Sequence, residues 1–145
     1  MYRNLLIATD GTELSAKAIR HGLRLAKALG ATVRVATATE PWEAVIAGEV
    51  AIVVPPQKYA ETSAANAAEI LKKAKAIADE EGVAIQTQHV SERHPAEGIL
   101  EAAKQSGCDL IVMASHGRRG FSRLILGSQA NEVVTHSTIP VLIVR

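Results

Sequence analysis

Short apolar runs alternate with longer amphipathic ones along this chain, and the alternation predicts its layout. Leu5-Leu6-Ile7-Ala8 is a continuous apolar run that closes on Thr9-Asp10-Gly11, the pattern of a buried strand. From Ser15 to Leu29 the apolar residues recur at helical spacing, with Ala16, Ile19, Leu23 and Ala26 on one face and Gly30 as the stop. Thr32 to Thr39 predicts a second strand. Tyr59 to Glu81 predicts a long Ala-rich helix with Ala67, Ile70, Leu71, Ala74, Ile77 and Ala78 inward and Lys72, Lys73, Asp79 and Glu80 outward; Gly82 ends it. Val83 to Val90 predicts the third strand. Pro95 opens a helix that Ala96 to Ser106 continue to Gly107. Asp109 to Ala114 predicts the fourth strand, a helix starts near Ser128, and Ile139 to Val144 predicts the fifth strand. Between the second strand and the long helix, Glu40 to Lys58 holds Pro41, Gly48, Pro55 and Pro56 and reads as a long connection with one helical turn near Trp42–Ala47.

Strands and helices that alternate in this way predict an α/β fold: a doubly wound, five-stranded parallel sheet with helices on both faces. The 145 residues suit one domain, here 1–145, with no internal repeat. Right-handed crossovers leave two strand orders, 2-1-3-4-5 and 3-2-1-4-5. In either, ligands sit at the carboxyl ends of the strands where the order reverses. That edge holds Thr9-Asp10, Thr37-Ala38-Thr39 and Met113 to Gly117.

Composition narrows the function classes. A chain that is 48% hydrophobic and 21% charged can bury a core, and a net charge of +1 gives no footing for nucleic acid or an anionic membrane. Arg118, Arg119 and Arg123 form a basic cluster, but aromatic residues are only 3% of the chain, so nucleic-acid stacking has little surface. The single cysteine, Cys108, excludes an intrachain disulfide and reads as a buried thiol of a reducing compartment. No histidine pair has metal-ligand spacing. The apolar run from Ala44 to Val54 is broken by Glu49 and falls far short of the ~20 residues that span a bilayer. Met1 to Asp10 reads as a strand rather than a signal peptide. The expectation is a cytoplasmic protein with no membrane partner.

Candidate chemistry concentrates after the fourth strand. From Met113 to Ser128 the chain carries three glycines and three arginines between a strand and a helix. Glycines admit a phosphate close to the backbone, and a helix start at Gly127-Ser128 offers free N–H groups and the positive end of a dipole. On composition alone the same stretch also reads as a surface loop with a serine-capped helix and solvated arginines. It is neither a G-x-x-x-x-G-K-[ST] loop nor a G-x-G-x-x-G loop. Asp10, at the end of the first strand, reads either as a cap for the following turn or as a ribose or base contact. His116 reads either as a phosphate contact or as a brace for the loop.

Three stretches together resemble the universal stress protein family: Ile7-Ala8-Thr9-Asp10-Gly11-Thr12-Glu13, the glycine loop, and Ile139-Pro140-Val141-Leu142-Ile143-Val144. The resemblance covers essentially the whole chain and favours the strand order 3-2-1-4-5. The family's ATP-binding branch carries G-x2-G-x9-G-[ST]. Here the stretch reads Ala114-Ser115-His116-Gly117, nine residues, then Gly127-Ser128, so the spacing is kept and Ala114 stands where the first glycine would be. A methyl there is tolerated if the backbone is extended and costly if it needs φ > 0.

The resemblance implies an ATP-binding regulatory stress-response protein, taking ATP or else ADP or AMP. Ala8, Thr9 and Asp10, with the backbone near Ala38, would face adenine and ribose. Met113 and Ala114 would line the floor. His116, Gly117 and Arg118 would approach the phosphates, and Gly127, Ser128, Gln129 and Ala130 would hold them. Mg²⁺ would be held by phosphates and water. No catalytic residue is implied, so hydrolysis or autophosphorylation would be slow at most. Pro140, Val141, Leu142, Ile143 and Val144 would pair with a second copy as a homodimer, since an apolar edge strand invites pairing. The alternatives are a monomer whose edge is covered by Glu40 to Lys58, and a family dimer that binds no nucleotide and acts through a protein partner.

Overall fold

Each predicted strand and helix recurs in the computed structural model, which describes residues 1–43, 54–117 and 125–145. In chain order these are β1 (Asn4–Ala8), α1 (Glu13–Leu29), β2 (Thr32–Ala38), α2 (Pro56–Glu81), β3 (Gln86–Val90), α3 (Pro95–Gln105), β4 (Leu110–Ala114), α4 (Ser128–His136) and β5 (Val141–Val144). The sheet order is β3-β2-β1-β4-β5, and all four neighbouring pairs are parallel. The order reverses at β1, which pairs with β2 on one side and β4 on the other.

β1 and β4 are buried on both faces, which is why their sequences are runs rather than alternations. Leu5 and Ile7 point to one face with Val33, Val35 and Val112, under Ala18, Ile19 and Leu23 of α1 and Ala74, Ile77 and Ala78 of α2. Leu6 points to the other with Ala36, Ile111 and Met113, under Ala96, Ile99 and Ala102 of α3 and Ala130 and Val133 of α4. Alanines line the inner face of every helix, and small side chains let a helix lie close to the sheet.

Several boundaries move from the sequence expectation, each for a local reason. α1 begins at Glu13 rather than Ser15, because the Thr12 side chain accepts from Ser15 N and caps the helix two residues earlier. α2 begins at Pro56 rather than Tyr59, with proline in its first turn, where a missing N–H costs nothing. β3 begins at Gln86 rather than Val83. Val83 N instead donates to Ala78 O behind Gly82, which closes the C-terminus of α2. β5 begins at Val141 because the Ser137 hydroxyl binds both the amide and the carbonyl of Ile139 in a tight turn. Trp42 and Glu43 are helical; the rest of the turn expected at Trp42–Ala47 lies outside the described residues. Hydrogen bonds fasten both flanks of that connection: Trp42 Nε1 donates to Val54 O at 2.7 Å, and the Tyr59 hydroxyl donates to Glu40 O at 2.6 Å.

Candidate functional site

The carboxyl ends of β1 and β4 lie side by side, and a helix starts beyond each. After β1, Thr9 N extends the ladder to Ala36 O at 2.9 Å. The Thr9 side chain is buried and its hydroxyl pairs with Ser15 Oγ at 3.0 Å. The chain then turns through Gly11, whose φ of +82° favours glycine. Asp10 Oδ1 accepts from Thr12 N at 3.0 Å and from the Thr12 hydroxyl at 2.6 Å. One carboxylate oxygen of Asp10 is therefore engaged in the turn. The other, Oδ2, lies against Gly117, where an added Cβ would sit only 2.8 Å away.

Beyond β4 the backbone is arranged differently. Ala114 is extended, pairs with Val144 and is buried. Among the described residues Glu92 is the only non-glycine with positive φ, so the methyl at Ala114 brings no backbone strain. Ser115 N donates to Val144 O at 2.9 Å, and Ser115 O accepts from Gly127 N at 2.8 Å. That second bond folds the described end of the loop back onto its beginning. A Cβ on Gly127 would meet Ser115 O at 2.9 Å and the His116 Cα at 3.2 Å. The φ of Gly127 is −58°, open to any residue, so close backbone approach is what requires glycine here.

Gly127 is the N-cap of α4 and supplies no side-chain acceptor; the first turn holds no acidic residue. Ser128 therefore does not cap the helix, contrary to the serine-cap alternative. The first-turn amides of Ser128, Gln129 and Ala130 precede the point where helical bonding begins. The Gln129 side chain reaches sideways, its Oε1 accepting from Ala96 N at 3.0 Å. His116 Nδ1 pairs with Ser115 Oγ at 3.0 Å, while its Nε2 is buried with no hydrogen-bond partner among the described residues. A buried nitrogen without a partner calls for an explanation.

The remaining expected residues divide by face. Ala8 and Ala38 are half-buried and pack on the α3–α4 side of the sheet, as does Val90. Ala38 and Val90 are register partners, so the strand ends form a small apolar shelf, with Val90 packed against Gly98 of α3. Sequence reasoning did not place Val90 in the site, although it ends the expected third strand at this same edge. Met113 and Ala130 point into the core on that same side, so only their backbones reach the edge. Ala114 packs into the opposite core. Arg118, with Arg119 and Arg123, lies outside the described residues. His89 closes the far end of the edge, its Nε2 paired with Thr39 Oγ1 at 3.1 Å, and burial pushes its pKa down.

No group of three or more metal-ligating side chains occurs among the described residues. Cys108 lies at the opposite end of β4, where burial pushes its thiol up and Arg34 opposes it only in part. β5 occupies the sheet edge, with Val141, Leu142 and Ile143 half-buried, Val144 buried and Pro140 exposed just before it. No helix among the described residues is long and apolar enough to cross a membrane.

Comparison with known proteins matches this architecture. The family model described as the Universal stress protein family matches residues 1–145. A universal stress protein of Methanocaldococcus jannaschii is 34% identical over 156 residues, covering 100% of this chain and 83% of that protein. Universal stress protein YxiE of Bacillus subtilis is 34% identical over 149 residues, covering 100% of both. Among solved structures, a universal stress protein in complex with cAMP superposes with a TM-score of 0.73 at 28% identity, covering 99% of this chain and 97% of that one.

Proposed function

The chain belongs to the universal stress protein family, and from that premise we propose that it is a regulatory protein that binds an adenine nucleotide, ATP with Mg²⁺ or else ADP or AMP, at the start of α4. One observation carries the reading. α4 opens on a glycine packed against Ser115 and His116, with its first-turn amides capped by no side chain of its own segment and no acid in that turn. Such a helix start favours an anion through both its N–H groups and its dipole. The cAMP complex of a 28% identical relative supports a nucleotide as the source of that anion.

In this reading the base rests on the shelf of Ala8 and Ala38, and Asp10 Oδ2 faces the ribose. The phosphates take the amides of Ser128, Gln129 and Ala130, beside Gly117 and Arg118. His116 Nε2 finds in a phosphate oxygen the partner it lacks among the described residues. Mg²⁺ is held by phosphates and water. The reading assigns His116 and Asp10 to binding and leaves no general base among the described residues of the site, so any hydrolysis or autophosphorylation is slow. The exposed edge of β5 pairs with a second copy in a two-fold dimer. The competing reading, a relative that has lost nucleotide binding, leaned on Ala114. In an extended strand that residue carries no backbone penalty.

The test is direct. Purified protein is denatured and its supernatant separated by ion exchange, and Mg-ATP is titrated against thermal unfolding. Either co-purifying nucleotide or a melting temperature raised by several degrees is expected, since a ligand at a hundred times its Kd stabilises by about 2.7 kcal/mol. Absence of both overturns the reading.

A further inference from the structure

α3 opens without a cap of its own. His94, at its N-cap, makes no side-chain cap, and Pro95 removes one N–H from the first turn. The next amide belongs to Ala96, a buried residue of the α3–α4 core. Its N–H donates 3.0 Å to Oε1 of Gln129, thirty-three positions along the chain and in the first turn of α4. An N–H needs an acceptor, so the carboxamide oxygen, not its nitrogen, must face α3.

Gln129 therefore acts at two helix starts. Its side chain closes α3, and its backbone amide is one of the group at the opening of α4. Each helix start lacks a side-chain cap of its own segment, and this bond joins them. Moving the side chain away would leave the Ala96 donor without a partner, which favours keeping it in place.

We propose that Gln129 is a positioning residue for the ligand site: by accepting from Ala96 it fixes the first turn of α4, aims that turn's amides at the anion, and couples occupancy of the site to the first turn of α3. This rests on the start of α4 being the phosphate site. The Gln129 side chain acts through the helix rather than by touching the ligand.

Two variants separate this from a general structural role. Gln129→Met keeps length and bulk but has no acceptor. Gln129→Glu keeps an acceptor for Ala96 N–H. Hydrogen exchange at the Ala96 amide, the melting temperature, and the Kd for Mg-ATP are measured in each. In Gln129→Met the Ala96 amide exchanges about tenfold faster and Kd rises about five- to tenfold. In Gln129→Glu the Ala96 amide stays protected and still responds to saturating Mg-ATP, while Kd rises about tenfold from the added first-turn charge. Saturating Mg-ATP slows Ala96 exchange in the parent and not in Gln129→Met. Parent affinity in Gln129→Met overturns the proposal. So does a Gln129→Glu protein in which saturating Mg-ATP leaves Ala96 exchange unchanged, because an acceptor at that position would then not couple the two helix starts. A parent protein that binds no nucleotide overturns instead the reading of the site.

Discussion

α1 and α4 start at the same edge of the sheet, each just beyond a central strand, and they are finished in opposite ways. The start of α1 is satisfied from its own sequence. Thr12 caps Ser15 N, Asp10 holds Thr12 by both its amide and its hydroxyl, and Glu13 sits in the first turn against the dipole. The start of α4 has a glycine for a cap, no acid, and an amide end that its own segment leaves open. Their glycines differ as well. Gly11 is needed for its positive φ, whereas Gly127 is needed for the space its missing Cβ leaves against Ser115 and His116. One joint is closed by its own side chains and the other is the joint at which we propose a ligand, although their place in the topology is nearly the same.

Four substitutions break or sharpen that contrast. The largest effect falls on Gly127→Val. Its side chain would enter space where even a Cβ meets backbone at 2.9 Å and 3.2 Å, so the loop and helix start must separate. Kd for Mg-ATP is expected to rise more than about a hundredfold by calorimetry, and parent-like binding would remove the phosphates from this helix start. Next, Ser128→Asp gives α4 the first-turn acid that α1 already has. It is expected to stabilise the nucleotide-free protein by about 0.3–1 kcal/mol and to weaken nucleotide binding about tenfold. Denaturant melts and a binding isotherm read the two signs, and tighter binding would reverse the assignment. Thr12→Ala does the converse at α1. It removes a cap worth about 1 kcal/mol and lowers the melting temperature by about 3 °C, while Kd stays at the parent value; a Kd shifted as far as in Ser128→Asp would erase the distinction between the joints. The smallest effect belongs to Ala114→Gly, which restores the residue the glycine pattern has there. In an extended strand it is expected to cost about 0.5–1 kcal/mol and leave Kd within about threefold. A tenfold gain in affinity would mean that the methyl obstructs the site.

Much of this was legible in the sequence because it depends on local pattern. Leu5-Leu6-Ile7-Ala8 and Leu110-Ile111-Val112-Met113-Ala114 are apolar throughout, and both are strands buried on both faces. Alternation alone leaves two strand orders open, and only the resemblance selects the one observed. Val83 to Ile85 looks like strand by composition, yet Val83 N belongs to the turn that closes α2, and a competing hydrogen bond of that kind leaves no mark on hydrophobicity. At the site, the role of Asp10 in its turn follows from its neighbour Thr12, two residues on. The Gln129–Ala96 bond does not, because its partner is distant in sequence. The backbone at Ala114 is likewise beyond sequence reasoning, since the same residue fits or strains according to φ.

Backbone amide resonances, followed while Mg-ATP is added to the protein, test the contrast between the two helix starts most directly. The largest shifts are expected at Ser128, Gln129 and Ala130, with a change at Ala96 through Gln129, while the capped turn at Thr12 to Ser15 stays nearly still. Saturating ATP that moves Thr12 to Ser15 and leaves Ser128 to Ala130 unchanged would contradict the assignment of the phosphate site to α4.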